Sequence, residues 1–446
     1  MNPSAQQPSP AQLGQGAPTG TQTTQLPQGS LPELLGALIP LRNPLITGGK
    51  ARPLATPLPT ATLNSAGTLP VTLQNVGLGL ALSVHVSGSF VVDLAASTTA
   101  GSNGGGIQFG PAFPFDIFPE ISFQPSAGTA RVSASARLLN EEMSRMFGKV
   151  RNPNFVGKNR AADYDAIGTV QTFVPNNWAA YYTIGAGAPV TITPGMVVYN
   201  TTTAVETMTI TYSFDLLIPW VDNLVDFNGL IPLAAQNASF AVNFTVAAAV
   251  GTGYNPAQFV SGADITGASS LTSQTVSIYP TQEGITVPDN PALYVPLSAN
   301  IINRVTVPAP SVGTGLQAVV LTFPQGYVYK AAILDLRLGY LPDSGDVTEI
   351  DLNITPNTPT QRYTLAKYVE RYTRINGAPP TQGIFLWDAD DEGFVPGMSD
   401  AFAEVNAQPG GVINPNVTLQ IAGNAVFGSN PSSNRCTALL VSGVVV

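Results

Sequence analysis

Four carboxylates crowd one short stretch of this chain: Asp388, Asp390, Asp391 and Glu392. Oxygen ligands at this spacing suit a structural Ca²⁺, and two carboxyls facing each other across a cleft can serve as acid and base in glycoside hydrolysis. The spacing departs from the EF-hand pattern, and no other residue points to a sugar cleft. A solvated or salt-bridged loop is therefore preferred to either a divalent-ion site or a catalytic one. Elsewhere the chemistry is sparse. His85 is the single histidine and sits mid-strand, whereas a Ser-His-Asp triad or a multi-His metal centre needs several partners. Gly48-Gly49-Lys50 is followed by Ala51, not by the hydroxyl of a phosphate loop, and Gly77-Leu-Gly79 runs into a strand. No catalytic residue emerges, and no enzyme is expected.

The elements around the carboxylates occur in an order that is met twice. Ile384-Phe-Leu-Trp387-Asp388 leads into the acidic loop, then Asp400 to Glu404, then Asn416 to Ile421. Earlier, Phe214 to Trp220 leads into a loop holding Asp222 and Asp226, then an apolar run from Leu230, then Ser239 to Val246. The separation far exceeds the roughly 20–50 residues of a solenoid unit, so two copies of a whole domain are implied. On that reading the Trp-acidic-loop feature is a structural connection inherited by duplication.

Only 10% of residues are charged, against a usual share of about 25%. An ordinary charged surface cannot cover such a chain, so much of it is expected to be buried against something else. The 43 glycines and 39 prolines accompany plentiful β-branched and aromatic residues, the composition of short strands joined by many turns. A net charge of −9 argues against a phosphate-binding surface and against sequence-specific nucleic-acid binding. The lone Cys436 excludes an internal disulfide framework and fits a reducing cytoplasm. No signal peptide and no apolar run of membrane-spanning length is visible.

Along the chain, Met1 to Gly29 is uncharged and rich in Gln, Pro, Ser and Thr, a flexible arm by composition. Ser30-Leu-Pro-Glu33 has the form of a capping box. Leu31, Leu34, Leu35, Leu38 and Ile39 then recur at helical spacing, a short amphipathic helix whose apolar face suits a subunit or inner-surface contact. A Pro-rich linker follows. The expected divisions are an N-terminal region 1–67, a first β domain 68–250, a Gly/Ser/Thr-rich linker 251–274 and a second β domain 275–446. Strand alternation is clear over Leu80 to Val92 and Glu206 to Leu217. Helices are expected within Val132 to Phe147 and over Gln361 to Arg374, and the Gly101 to Gly106 cluster reads as a mobile loop. The basic run Arg137, Arg145, Lys149, Arg151, Lys158 and Arg160 reads as a solvated face. The sequons at Asn200, Asn237, Asn243, Asn353 and Asn416 look accidental.

Two consecutive β-sandwiches with one helix each, in a charge-poor chain with an N-terminal arm, resemble the double jelly-roll major capsid proteins of the tectivirus and adenovirus-hexon lineage. The segment Trp220 to Asn237 looks like the connection between the sixth and seventh strands of such a jelly roll, with Trp387 to Asn416 as its counterpart. The resemblance implies an all-β fold of two eight-stranded jelly rolls with short helices. It further implies homotrimers with a hexagonal outline that tile an icosahedral virion shell assembled in the host cytoplasm. Expected partners are further trimers, penton or minor capsid proteins, and an internal membrane reached through the N-terminal region. Loops 98–109 and 152–164 are candidates for outer or contact surface. From another class, a carbohydrate-binding or glycosidase sandwich would use the Asp388 to Glu392 loop and a cleft lined by Trp387.

Overall fold

The computed structural model describes residues 53–110, 112–125, 130–148, 178–221, 229–235, 239–251, 255–286, 300–308, 318–323, 328–338, 346–353, 361–376, 383–388, 403–404, 416–421 and 434–445. The Leu31 to Ile39 helix and the carboxylates Asp390, Asp391 and Glu392 lie outside these residues.

The first half comprises β1 (Pro53–Pro57), β2 (Ala61–Leu63), β3 (Gly67–Thr72), β4 (Leu78–Leu94), β5 (Ala96–Ser97), β6 (Gly105–Phe109), β7 (Glu120–Phe123) and β8 (Val132–Ala134). Helix α1 (Ala136–Gly148) follows, then β9 (Trp178–Ile184), β10 (Val190–Thr191), β11 (Val197–Tyr199), β12 (Glu206–Pro219), β13 (Ala241–Val246), β14 (Ala257–Ser261), β15 (Ile265–Thr266) and β16 (Ser270–Ile285). The second half comprises β17 (Asn300–Pro308), β18 (Ala318–Thr322), β19 (Val328–Leu338), β20 (Val347–Asn353), β21 (Gln361–Thr364), α2 (Leu365–Asn376), β22 (Ile384–Asp388), β23 (Ala403–Glu404), β24 (Asn416–Ile421) and β25 (Asn434–Val445).

Each half is a sandwich in which the chain alternates between two sheets. In the first, β16-β4-β12-β9 opposes β3-β13-β7-β8; in the second, β18-β24-β20-β21 opposes β17-β25-β19-β22. The period-2 patterning explains the packing. Met208, Ile210, Tyr212 and Phe214 of β12 all point into the first core, and the intervening Thr209, Ser213 and Asp215 face outward. Aromatic rings fill that core: Phe214 lies 4.9 Å from Phe115, and Phe118 lies 5.3 Å from Phe244. The two sandwiches share one sheet, because β17 pairs parallel with β8 at Arg304–Val132 and Val305–Ser133. All-β double-sandwich architecture was thus legible in the pattern.

Several local expectations change. The stretch 251–274 holds β14, β15 and the start of β16, which pair with β6, β5 and β4 of the first roll. Residues 53–63, within the expected Pro-rich linker, form β1 and β2 on the same β16. Prolines are tolerated there because β1 is an edge strand. The helix expected from Gln361 begins four residues later, since Gln361 to Thr364 pair with Leu352 to Glu349 as β21.

The glycine cluster is not a loose loop throughout. Gly105 and Gly106 open β6 and are buried, and a Cβ on Gly105 would lie 2.8 Å from the Ala95 backbone nitrogen. Glycine serves here for close backbone approach. β6 sits between β11 and β14, so the connections after β4, before β12 and before β16 together build a small sheet beyond one end of the long strands. At the other end Pro53 pairs with Ile285. The start of β1 therefore lies at the end of the roll opposite this cap.

Candidate functional site

Asp388 is the last residue of β22 and pairs through its backbone with Ala331. Among the described residues no group of three His, Cys, Asp or Glu is placed to hold a metal ion. Trp387 does not line an open cleft: it is 2% exposed and packs 5.8 Å from Phe323 in the second core. His85 does lie on an outer face, where its Nδ1 is 2.8 Å from Asp215 Oδ1 and its ring is 5.9 Å from that of Tyr279. That row crosses β12, β4 and β16 and is a solvent-facing cross-strand contact. A second charge group, Glu349, Asp351 and Arg362, lies on β20 and β21, with Arg362 exposed and Asp351 buried. The Glu349 carboxyl is pushed above its ordinary value, first by its hydrogen bond to Asp351.

The twofold Trp feature is also reassigned. The strand before Trp220, β12, runs centrally between β4 and β9. The strand that carries Trp387, β22, is at the edge of the opposite type of sheet and pairs with β19. The partner of β12 in the second roll is β24, which is central between β18 and β20. Both tryptophans end a strand because each closes a core, Trp220 against Phe123 at 5.4 Å and Trp387 against Phe323. The similarity comes from shared packing demands at different strand positions.

The chemistry that the structure does concentrate is buried between the two rolls. Arg337 on β19 makes a two-pronged contact with Asp116, its Nη1 and Nη2 each donating at 3.0 Å, and its Nη2 donates to Asp335 Oδ2 at 3.1 Å. Arg137 of α1 reaches Asp335 Oδ1 at 3.3 Å. Nearby, Glu142 of α1 accepts from Arg145 Nε at 2.6 Å and from Arg304 Nε at 3.2 Å. Arg304 also donates to the Pro219 and Val221 carbonyls at 3.2 and 2.8 Å. Both members of the Arg304–Glu142 pair are wholly buried. Burial alone lowers the Arg337 pKa, but the charges of Asp116 and Asp335 outweigh it and hold the group above its ordinary value. It is permanently cationic.

These residues correct the solvated-face reading of Arg137 and Arg145. Helix α1 lies between the rolls, with Leu138 and Leu139 in the first core and its cations turned to the carboxylates of the seam. Lys149, Arg151, Lys158 and Arg160 are outside the described residues. Asp116, Glu142, Arg304, Asp335 and Arg337 were not singled out from the sequence. A signal existed in Leu334-Asp-Leu-Arg-Leu338, where charges interrupt an otherwise wholly apolar strand.

Asn200 is another buried polar centre. Its Nδ2 donates to the Leu94, Ala95 and Ala204 carbonyls at 3.2, 3.2 and 2.7 Å, and its Oδ1 accepts from Thr202 N at 2.8 Å. It ties the cap to β4 and is inaccessible to glycosylation in the folded chain. Asn200→Ala is expected to cost ~1–3 kcal/mol by orphaning these groups, read as a lower denaturant midpoint at unchanged slope.

No protein-family model matches the sequence, and no curated protein matches it. Solved structures do match. The crystal structure of the STIV MCP superposes at TM-score 0.51 with 12% identity, covering 88% of this chain and 97% of that one. A chain in the atomic structure of Sulfolobus Turreted Icosahedral Virus matches at TM-score 0.50 with 12% identity, over 88% and 91%. The chain has the double jelly-roll fold of major capsid proteins. At this identity the double jelly roll is shared as architecture, carried by strand order and core patterning more than by particular side chains.

Proposed function

We propose that this chain is a major capsid protein that trimerises into capsomers with a hexagonal outline and tiles an icosahedral shell around a genome. The observation that carries the reading is the pair of sandwiches with alternating strand order, matched along 97% of the STIV MCP. Charge content supports it. A chain with 10% charged residues needs partners to cover its surface, and lateral contacts between capsomers supply them. The outer face of the first roll fits such contacts, since Thr62, Ser87, Ser213 and Ser277 present small uncharged groups across four strands.

On this reading the action is mechanical and needs no cofactor or catalytic residue. The partners are further copies of the chain, penton or minor capsid proteins, and an internal membrane approached by the N-terminal region with its Leu31 to Ile39 face. The virion is the final location, with assembly in the host cytoplasm. The end of the roll that carries Pro53 faces inward, and the cap of β6, β11 and β14 faces outward. The carbohydrate reading loses its cleft, because Trp387 is core. Light scattering tests the first step: the purified chain is expected at three times its 46.4 kDa, and a monomer at micromolar concentration would contradict trimerisation.

A further inference from the structure

The inner sheet of the second roll is buried on both faces. Ala332, Leu334, Leu336 and Leu338 of β19 enter the second core, whereas Ile333 belongs to the first. Its neighbours divide the same way, with Phe385 and Leu440 in the second core and Ile384 and Leu439 in the first. An antiparallel sheet of a free-standing sandwich commonly keeps one face in water. Here that face carries Ile333, Asp335 and Arg337 against Asp116 and α1 of the first roll.

Separate domains are expected to move relative to one another unless their interface is large and apolar. This interface combines a shared sheet, core residues that belong to the other roll, and two charge clusters that draw members from both rolls. Opening the seam would part Arg304 from Glu142 and from the Pro219 and Val221 carbonyls, and Arg337 from Asp116, leaving each cluster with only part of its buried compensation. We propose that the two rolls unfold as one cooperative unit, with α1 wedged between them as the coupling element and the clusters at Glu142–Arg304 and Asp116–Arg337–Asp335 as its fastenings. A shell subunit built this way has no internal hinge. The inference rests on the seam and stands whether or not the chain forms a shell.

Hydrogen exchange read by mass spectrometry on the full chain in rising denaturant tests it. Peptides from β4 and β12 in the first roll and from β18 and β24 in the second should lose protection at one common midpoint. Two separate midpoints in the wild-type chain would overturn the proposal. The double variant Glu142→Gln, Arg337→Lys keeps side-chain size while weakening both clusters, and should pull the two midpoints apart. If they instead fall together, the clusters are not the coupling. Asp215→Asn, which alters an exposed pair, should leave the midpoints coincident. The wild-type comparison remains decisive if the double variant does not fold.

Discussion

Arg304→Met is expected to lower the stability of the chain by about 3–5 kcal/mol, since breaking a buried ion pair by removing one partner is strongly destabilising. The guanidinium is wholly buried and holds Glu142 and the Pro219 and Val221 carbonyls together. Methionine keeps most of the volume, so the loss is one of charge and hydrogen bonding. Glu142 would retain Arg145, which limits the effect to one arm of the cluster, but both carbonyls would lose this donor. The triple variant Arg304→Met, Glu142→Leu, Arg145→Met should recover much of the loss, because it also removes the buried Arg145 that pairs with Glu142, and well-packed apolar replacements of buried charge clusters are often neutral or stabilising. Denaturant unfolding of the two variants separates charge loss from packing loss. Arg362→Met, at a residue whose side chain is 69% exposed, should change little.

Trp220→Ala is the second large effect, expected at about 3–5 kcal/mol from lost burial and the cavity left behind. Trp220 closes the first core against Phe123, and its ring sits so near β4 that a Cβ on Gly79 would lie 2.5 Å from it. The indole nitrogen has no hydrogen-bond partner among the described residues, so the loss is almost wholly packing. Trp220→Phe should therefore cost much less, and calorimetry or denaturant midpoints would rank the two. A Gly79→Ala variant should be damaging for the same reason, since Trp220 and Leu233 would both have to move.

The long amphipathic strands were legible because period-2 alternation follows directly from the pleat. Met208, Ile210, Tyr212 and Phe214 reveal the buried face of β12 without any tertiary information. What pattern reading missed is where tertiary contact overrides composition. Gly105 and Gly106 look like loop residues by type, yet they are strand residues whose missing Cβ admits the Ala95 backbone and the Tyr199 ring. Arg137 and Arg145 look like a solvated face, yet Asp335 and Glu142 meet them in the seam. β19 shows why the pairing of the rolls was hard to see: Asp335 and Arg337 alternate with Leu334, Leu336 and Leu338 as they would on a strand with one solvated face, and nothing local says that this second face belongs to another domain. The Trp repeat misled for a related reason, because a tryptophan closing a core marks a strand end without identifying the strand.

The candidate site was the least legible part. Carboxylate density drew attention to Asp388 to Glu392, while the carboxylates that the fold engages most fully are dispersed: Asp116 and Asp335 stand singly among apolar residues, and Glu142 lies in an ordinary polar stretch of α1 beside Glu141. Their significance comes from burial beside arginines far away in sequence, as with Arg337 and Asp116, which are 221 residues apart.

Negative-stain electron microscopy of the purified chain tests the capsid reading most directly. A threefold particle with a hexagonal outline is the expected image, formed by three chains that each contribute two jelly rolls. Isolated single chains, or particles of another symmetry, would contradict it.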